Sequence, residues 1–246
     1  MAAPNQLLQL LSEADLAALN PHFRTMELRQ GEILAKPGDD IRTIYFPHSG
    51  IVSFVVELID GSVVQTGMVG RDGVIGAAQA LDDRKSINRI IVQVPGSASV
   101  IDRAPLRSII ASGSGIRNLF ASHEQFFVAD IQQTAACNAC HPADARVARW
   151  LLRMRDLVGD DLTITQDYLA SMIGVTRSTV TAIAGAMQEA GIISYVRGHV
   201  HIGDVDLLKK RSCECHRAVR ENYQALLGAP WPHSSGRKIV TPSCRL

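Results

Sequence analysis

The chain has no long hydrophobic run. Its longest, residues 51–59, is far too short for the roughly 20 apolar residues that a membrane helix needs, so no membrane partner is expected. The first residues, Met-Ala-Ala-Pro-Asn-Gln, lack the basic stretch and apolar run of an export signal, and the cytoplasm is the expected location. Surplus charge is missing as well. A formal net charge of +1 excludes the strongly basic balance of a nonspecific nucleic-acid binder. Any anion must therefore be met by local cations such as Arg146, Arg149, Arg153, Arg177, Arg197 and the run Lys209-Lys210-Arg211. Catalytic sets are absent too: there is no Ser-His-Asp order with a nucleophile elbow, no phosphate loop and no His-Glu-x-x-His. An enzyme is not expected. No cysteine precedes Cys137, and an odd total of five without an export signal argues against a disulfide framework.

What is present is an ordinary globular balance, 46% hydrophobic and 20% charged, in a chain of 246 residues that can build two cores. Between Leu162 and Ile202 the local signals follow one another in a fixed order. Thr165 can cap a short helix whose apolar members Leu169, Ala170 and Ile173 face inward. Gly174 supplies a sharp turn, Thr176 caps a second helix running to about Ala190, and Gly191 stops it. On that second helix Val180, Ile183, Ala184 and Met187 form the inner stripe, leaving Arg177, Ser178, Thr181 and Ala182 outward. Two β-rich runs, residues 194–196 and 199–202, flank Arg197-Gly198 as a hairpin wing. The whole is a winged helix-turn-helix, and double-stranded DNA is its expected partner. Candidate contacts are Thr165, Gln166, Thr176, Arg177, Ser178, Thr179, Thr181 and Ala182, with Arg197 and His199 from the wing.

The N-terminal part has a different texture. After a leucine-rich helical segment with Ser12 as a cap, residues 25–102 show short β-rich runs (41–46, 51–59, 63–68 and 87–94) separated by Gly and Pro. Asp60-Gly61 marks a hairpin. Helical periodicity returns near Leu106. Ile116, Leu119, Phe120, His123, Phe127, Ile131 and Thr134 recur at steps of three and four, one apolar face over several turns. Such a face either packs on its own domain or pairs with a copy of itself. Because Pro142 ends the helix and a separate domain follows, pairing into a homodimer is expected, with Phe127 mid-seam. The fold class is α+β: an N-terminal β-roll, double-stranded and jelly-roll-like (1–112), a long dimerisation helix (113–141), a winged helix-turn-helix (142–227) and a disordered tail (228–246).

This arrangement resembles the Crp/Fnr superfamily of bacterial transcription regulators over residues 16–227. The resemblance is carried by Arg146-Val-Ala-Arg-Trp-Leu-Leu152, Leu162-Thr-Ile-Thr-Gln-Asp-Tyr-Leu-Ala170, Gly174-Val-Thr-Arg-Ser-Thr-Val180 and Glu189-Ala-Gly-Ile-Ile193. In the roll it rests on Arg29-Gln-Gly-Glu-Ile-Leu34, Pro37-Gly-Asp39, Ile44-Tyr-Phe46 and Gly50. It implies a homodimer on a two-fold-symmetric operator, with RNA polymerase as a further partner. The departures carry weight. Cyclic-AMP-binding members have a Gly-Glu pair for the ribose and an Arg-Ser or Arg-Thr pair for the phosphate. Here Gly76-Ala77 and Ser86-Ile87 stand in those places, with Arg84, Lys85 and Arg89 as the nearby cations of an effector pocket. Cyclic AMP is therefore not the expected effector. The N-terminal cysteines that hold an iron-sulfur cluster in the oxygen-sensing branch are missing. In the recognition helix Arg177 matches the family's guanine-reading Arg, whereas Ser178 and Ala182 replace the rest of its triad.

Two cysteine pairs remain. Cys137-Asn-Ala-Cys140-His141 fits a haem-attachment pattern, which the expected location disfavours; a small-residue hinge with buried thiols is the simpler reading, and no cofactor is required. As an alternative, Cys137, Cys140, Cys213 and Cys215 form a metal or iron-sulfur site if the end of the winged domain folds back to the hinge. The protein would then be a redox or metal sensor on the same fold. His199 and His201 share one strand face and belong to the polar side of the wing.

Overall fold

The structure is a computed structural model and describes residues 5–82, 84–113 and 115–231. After a 3-10 turn at Leu8–Leu10 comes α1 (Glu13–Leu19), whose cap Ser12 accepts a hydrogen bond from the Asp15 amide at 3.1 Å. Seven strands follow: β1 (Arg24–Leu28), β2 (Ile33–Ala35), β3 (Thr43–Pro47), β4 (Ile51–Glu57), β5 (Val63–Val69), β6 (Arg89–Val94) and β7 (Gly96–Asp102). They form two antiparallel sheets, ordered β1-β7-β3 and β2-β6-β4-β5. Ile44, Phe46 and Val100 of the first sheet share one buried cluster with Val52, Ile90 and Val92 of the second. β1, β2 and β7 carry no strong apolar alternation, and the sequence reading missed them. The Asp60-Gly61 hairpin is present, closed by Leu58 N–H donating to Ser62 O at 2.8 Å. Two short helices, α2 (Ala77–Leu81) and α3 (Arg103–Ala111), lead to the long α4 (Ile116–Cys140).

The C-terminal half comprises α5 (Ala143–Val158), β8 (Asp161–Thr163), α6 (Gln166–Ile173), α7 (Arg177–Glu189), β9 (Ile193–Val196), β10 (His199–Ile202), α8 (Val205–Arg211) and α9 (Cys215–Leu227). A small sheet runs β8-β10-β9. The core of this half also takes in Ile51 and Met68 from the roll. Gln93 Nε2 reaches Met172 Sδ at 3.6 Å across the same seam. The winged domain is docked on its own roll.

The apolar face expected to pair with a second copy is largely occupied by this chain. Ile116 and Phe120 lie in the roll core, and buried His123 accepts from the Val74 amide at 3.3 Å. Phe127 packs against Phe54 with tilted rings whose centroids are 4.6 Å apart. A Cβ on Gly67 would meet its ring at 2.8 Å, so the strand can approach only because that residue has none. Leu119 and Ile131 are half-buried, and Thr134 is buried, accepting from Arg149. A second face, at Phe126, Asp130 and Cys137, is buried as well, and α9 packs along this helix. What remains open is a third face, Ala121, Gln125, Val128, Gln132, Ala135 and Ala139.

Two further expectations are corrected. Arg149 and Arg153, assigned to the cations available for DNA, are buried: Arg153 Nη2 lies 2.7 Å from Asp72 Oδ2, and Arg149 Nη2 lies 3.2 Å from Asp130 Oδ1. Arg146 is spent on the carbonyl of Ile173, which it meets at 2.6 Å. The segment expected to be disordered begins with ordered packing. Ala229 and Trp231 are buried, and the Trp231 ring meets Tyr223 edge-on with centroids 5.2 Å apart. Its Nε1 donates to Asp156 Oδ2 at 2.7 Å, and that carboxylate also takes His216 Nε2 at 2.8 Å. Residues 232–246, with Cys244, lie outside the described residues.

Removing one partner of a buried ion pair leaves a desolvated charge, whereas an exposed pair is screened by water. Asp72→Ala should therefore cost ~3 kcal/mol or more in urea unfolding. Asp102→Ala, which breaks an exposed pair with Arg24, should cost under about 1 kcal/mol. Equal midpoints for the two variants would show that the Asp72–Arg153 pair does not hold the halves together.

Candidate nucleic-acid interface

The helix-turn-helix forms because its ends are satisfied locally. Thr165 Oγ1 accepts from the Tyr168 amide at 3.2 Å, and Thr176 Oγ1 accepts from the Thr179 amide at 3.3 Å. Between them Gly174 sits at φ +65°, the left-handed conformation a side chain resists. Val180, Ala184 and Met187 bury one side of α7. On the other side Arg177, Ser178, Thr181 and Ala182 are exposed, as is Thr176 at the cap. Thr179 is half-buried against the first turn.

The wing is a two-residue hairpin. Arg197 at φ +47° and Gly198 at φ +82° both take positive φ, and Val196 pairs with His199, the pattern of a type I′ turn. Arg197 and His199 are exposed. His201, beside them on the strand, is paired with Asp161 at 2.7 Å. Behind the wing Tyr195 donates its hydroxyl to Ile164 O at 3.2 Å, and partial burial pushes its pKa up.

Thr165, Gln166, Arg177 and Arg197 line one shallow cleft between recognition helix and wing, together with Asp167 and Tyr195. Thr181 Oγ1 donates to Gln166 Oε1 at 2.7 Å, tying the two helices across the turn. Asp167 escaped the sequence reading. Its Oδ2 lies 3.3 Å from Arg177 Nη1, both side chains being 66% exposed. A carboxylate in the first turn of α6, on the side facing Arg177, was the available signal. The arrangement offers hydrogen-bond donors to base edges from α7 and a cation to phosphate from the wing.

The six residues assigned to an effector pocket have the following surroundings. Gly76 caps α2 in the left-handed conformation, and Ala77 is fully buried. Ser86 Oγ donates to Asn88 O at 2.8 Å, while Arg84 is held by Asp82 at 2.9 Å. Arg89 lies 3.7 Å from Glu57 and lines a cleft between roll and winged domain, near Tyr168. Lys85 is exposed, and Ile87 is 85% exposed.

The cysteines do converge, but not as the alternative reading had them. Cys140 is exposed, and His141 takes its place in a group with Cys137, Cys213 and Cys215 whose ligand atoms all lie within 4.8 Å of one another. The hydrogen bond between the free thiols of Cys137 and Cys213 pushes the Cys137 thiol up and pulls Cys213 down to about 5; burial pushes Cys215 up.

Residues 25–112 match the cyclic nucleotide-binding domain family, and residues 145–211 match the Crp-like helix-turn-helix domain family. Among solved structures, FixK2 from Bradyrhizobium japonicum is 15% identical with a TM-score of 0.67, covering 78% of this chain and 98% of its own. A putative transcriptional regulator of the Crp/Fnr family from Eubacterium rectale is 18% identical with a TM-score of 0.65, covering 87% of this chain and 99% of its own. The c-di-GMP-responsive global regulator CLP of Xanthomonas campestris is 16% identical with a TM-score of 0.63, covering 78% of this chain and 100% of its own. At such identities the structures establish the fold. No curated protein matches the chain in sequence. With both of its domains matched in this order, the chain belongs to the Crp/Fnr superfamily of transcription regulators. Regulators of this family bind DNA and act as dimers. Among the described residues no helix is long and apolar enough to cross a membrane.

Proposed function

We propose that the chain acts as a homodimeric, sequence-specific DNA-binding transcription regulator, with one α7 in the major groove of each half of a two-fold-symmetric operator. The observation that supports this best is the disposition of α7, whose apolar side completes a core while Arg177 and its neighbours stand in solvent between a capped turn and the wing. Binding is its role rather than catalysis. On DNA, Arg177 exchanges its exposed contact with Asp167 for a bidentate grip on guanine O6 and N7. Ala182 can touch only an apolar base edge such as a thymine methyl. Half-site centres lie about one helical turn apart, ~34 Å, and RNA polymerase is the second macromolecular partner of the bound dimer.

The pairing surface is the open face of α4. Ala121, Gln125, Val128, Gln132, Ala135 and Ala139 alternate steps of four and three, the spacing of a two-helix seam, and a two-fold axis sets each against its copy. The roll reads a signal other than cyclic AMP. Ala77 has no carboxylate for a ribose hydroxyl, the Ser86 hydroxyl is already committed to Asn88, and Arg84 and Lys85 stand exposed in solvent. A desolvated phosphate without charge-assisted bonds opposes binding.

Arg177→Ala should cost ~1–3 kcal/mol on the cognate operator and flatten discrimination at one base pair per half-site; undiminished selectivity would remove the assignment. Arg197→Ala should weaken all sequences alike and lower the salt slope by roughly one unit. Val128→Asp places two like charges face to face in the seam and should yield monomers with weakened operator binding, read by light scattering. A dimer that survives it moves the interface elsewhere. Cyclic AMP at millimolar concentration should leave the melting temperature unchanged, since a ligand that does not bind the native state cannot stabilise it; a saturable rise would refute this.

A further inference from the structure

The end of α4 and the link between α8 and α9 bring four soft or borderline donors together from positions more than seventy residues apart in sequence. Cys137 Sγ lies 3.5 Å from Cys213 Sγ, and Cys215 Sγ lies 3.5 Å from His141 Nδ1. Zn–S bonds of about 2.3 Å and Zn–N bonds of about 2.0 Å at tetrahedral angles put ligand atoms roughly 3.5–3.8 Å apart; two of the pairs already stand at 3.5 Å and all four ligand atoms lie within 4.8 Å of one another, so a small inward shift closes the group on one ion. An iron-sulfur cluster interposes several irons and bridging sulfides between its ligands and needs a wider cage.

The surroundings are those of a metal site rather than of a cluster of unrelated side chains. Glu214 Oε1 lies 3.2 Å from His141 Nε2, where it accepts the ring proton and leaves the Nδ1 lone pair facing the thiols. Gln133 Nε2 donates to Cys215 Sγ at 3.0 Å, the kind of bond that stabilises a thiolate. Three thiolates around a divalent ion leave a single net negative charge, and the Arg149 guanidinium acts on Cys137 from nearby. Cys137 and Cys215 are buried, which shields two of the sulfurs from solvent. Both halves of the group fall outside residues 25–112 and 145–211, the two segments matched by the domain families.

We infer that Cys137, His141, Cys213 and Cys215 bind one structural Zn2+ that staples α9 to the α4–α5 junction, with Glu214 orienting the histidine. The site fastens the segment that covers the second face of α4, and it stands whether or not α7 reads DNA.

The test uses the full chain, purified under reducing, oxygen-free conditions without added chelator. Elemental analysis should give one zinc per chain, no iron and no visible absorption. A Cys140→Ser/Cys244→Ser double variant, whose remaining cysteines are Cys137, Cys213 and Cys215, should keep that stoichiometry, whereas Cys213→Ser should lose it. Because a misfolded ligand variant would also lose metal, the double variant is titrated with a colorimetric zinc chelator as well. Each zinc released should unmask three thiols to a thiol reagent and expose the α9 amides to hydrogen exchange. Glu214→Gln should lower zinc affinity ~10–100-fold. A folded, zinc-free protein with three thiols reactive from the start would overturn the site. So would iron with visible absorption, a Cys137–Cys213 disulfide in the purified protein, zinc lost from the double variant, or unchanged affinity in Glu214→Gln.

Discussion

The junction of the two halves depends on charge that has been taken out of water. Helix α5 is buried on almost every side, yet it carries Arg149, Arg153 and Asp156 into the interior. Each buried ion costs several kcal/mol in lost hydration, so each must find a partner of opposite charge or a strong hydrogen bond. The partners come from different parts of the chain: Asp72 from the roll, Asp130 and Thr134 from α4, His216 from α9, and Trp231 from the segment after it. Burial pushes the Asp130 carboxyl up, against the pull of Arg153 and Arg149, a measure of how dry this place is. In the seating observed, each of these groups meets at least one such partner. The network thus stabilises this orientation, which leaves α7 and the wing in solvent.

The same demand divides α4 among three uses. A helix presents about 3.6 residues per turn, enough for separate faces, and this one packs Phe120 and Phe127 on the roll and Phe126 beneath α9. Only the strip from Ala121 to Ala139 is left. The stripe read from the sequence was real as a buried face. Its partner was mistaken, because an apolar stripe says that something covers it and not whether the cover is the same chain or a copy.

Charged residues misled in a parallel way. Arg146, Arg149 and Arg153 recur at helical spacing beside the winged domain, which in sequence is indistinguishable from a solvated face. Their burial becomes visible only when Asp72 and Asp130 are set against them. Trp231 followed the same logic: it lies among Pro and Gly in a stretch with the composition of a tail, but a large ring with a donor is worth burying where a carboxylate waits.

The features that the sequence by itself determined are those whose cause lies within a few residues. Thr165 and Thr176 cap their helices, Gly174 turns the chain, and Arg197-Gly198 makes a I′ hairpin, because a cap bond or the sign of φ is settled over three or four positions. Tertiary structure alone decided which face of α4 would be covered, where the arginines would find carboxylates, and which donors would meet at the hinge. There, Cys137-x-x-Cys140 suggested a pair, yet α4 ends at Cys140 and the extended backbone of His141, ahead of Pro142, swings its ring toward Cys215 instead. The approach of Cys213 and Cys215 depends on where α8 ends and how α9 lies along α4, and that is set by packing between elements far apart in the chain, which no local pattern records.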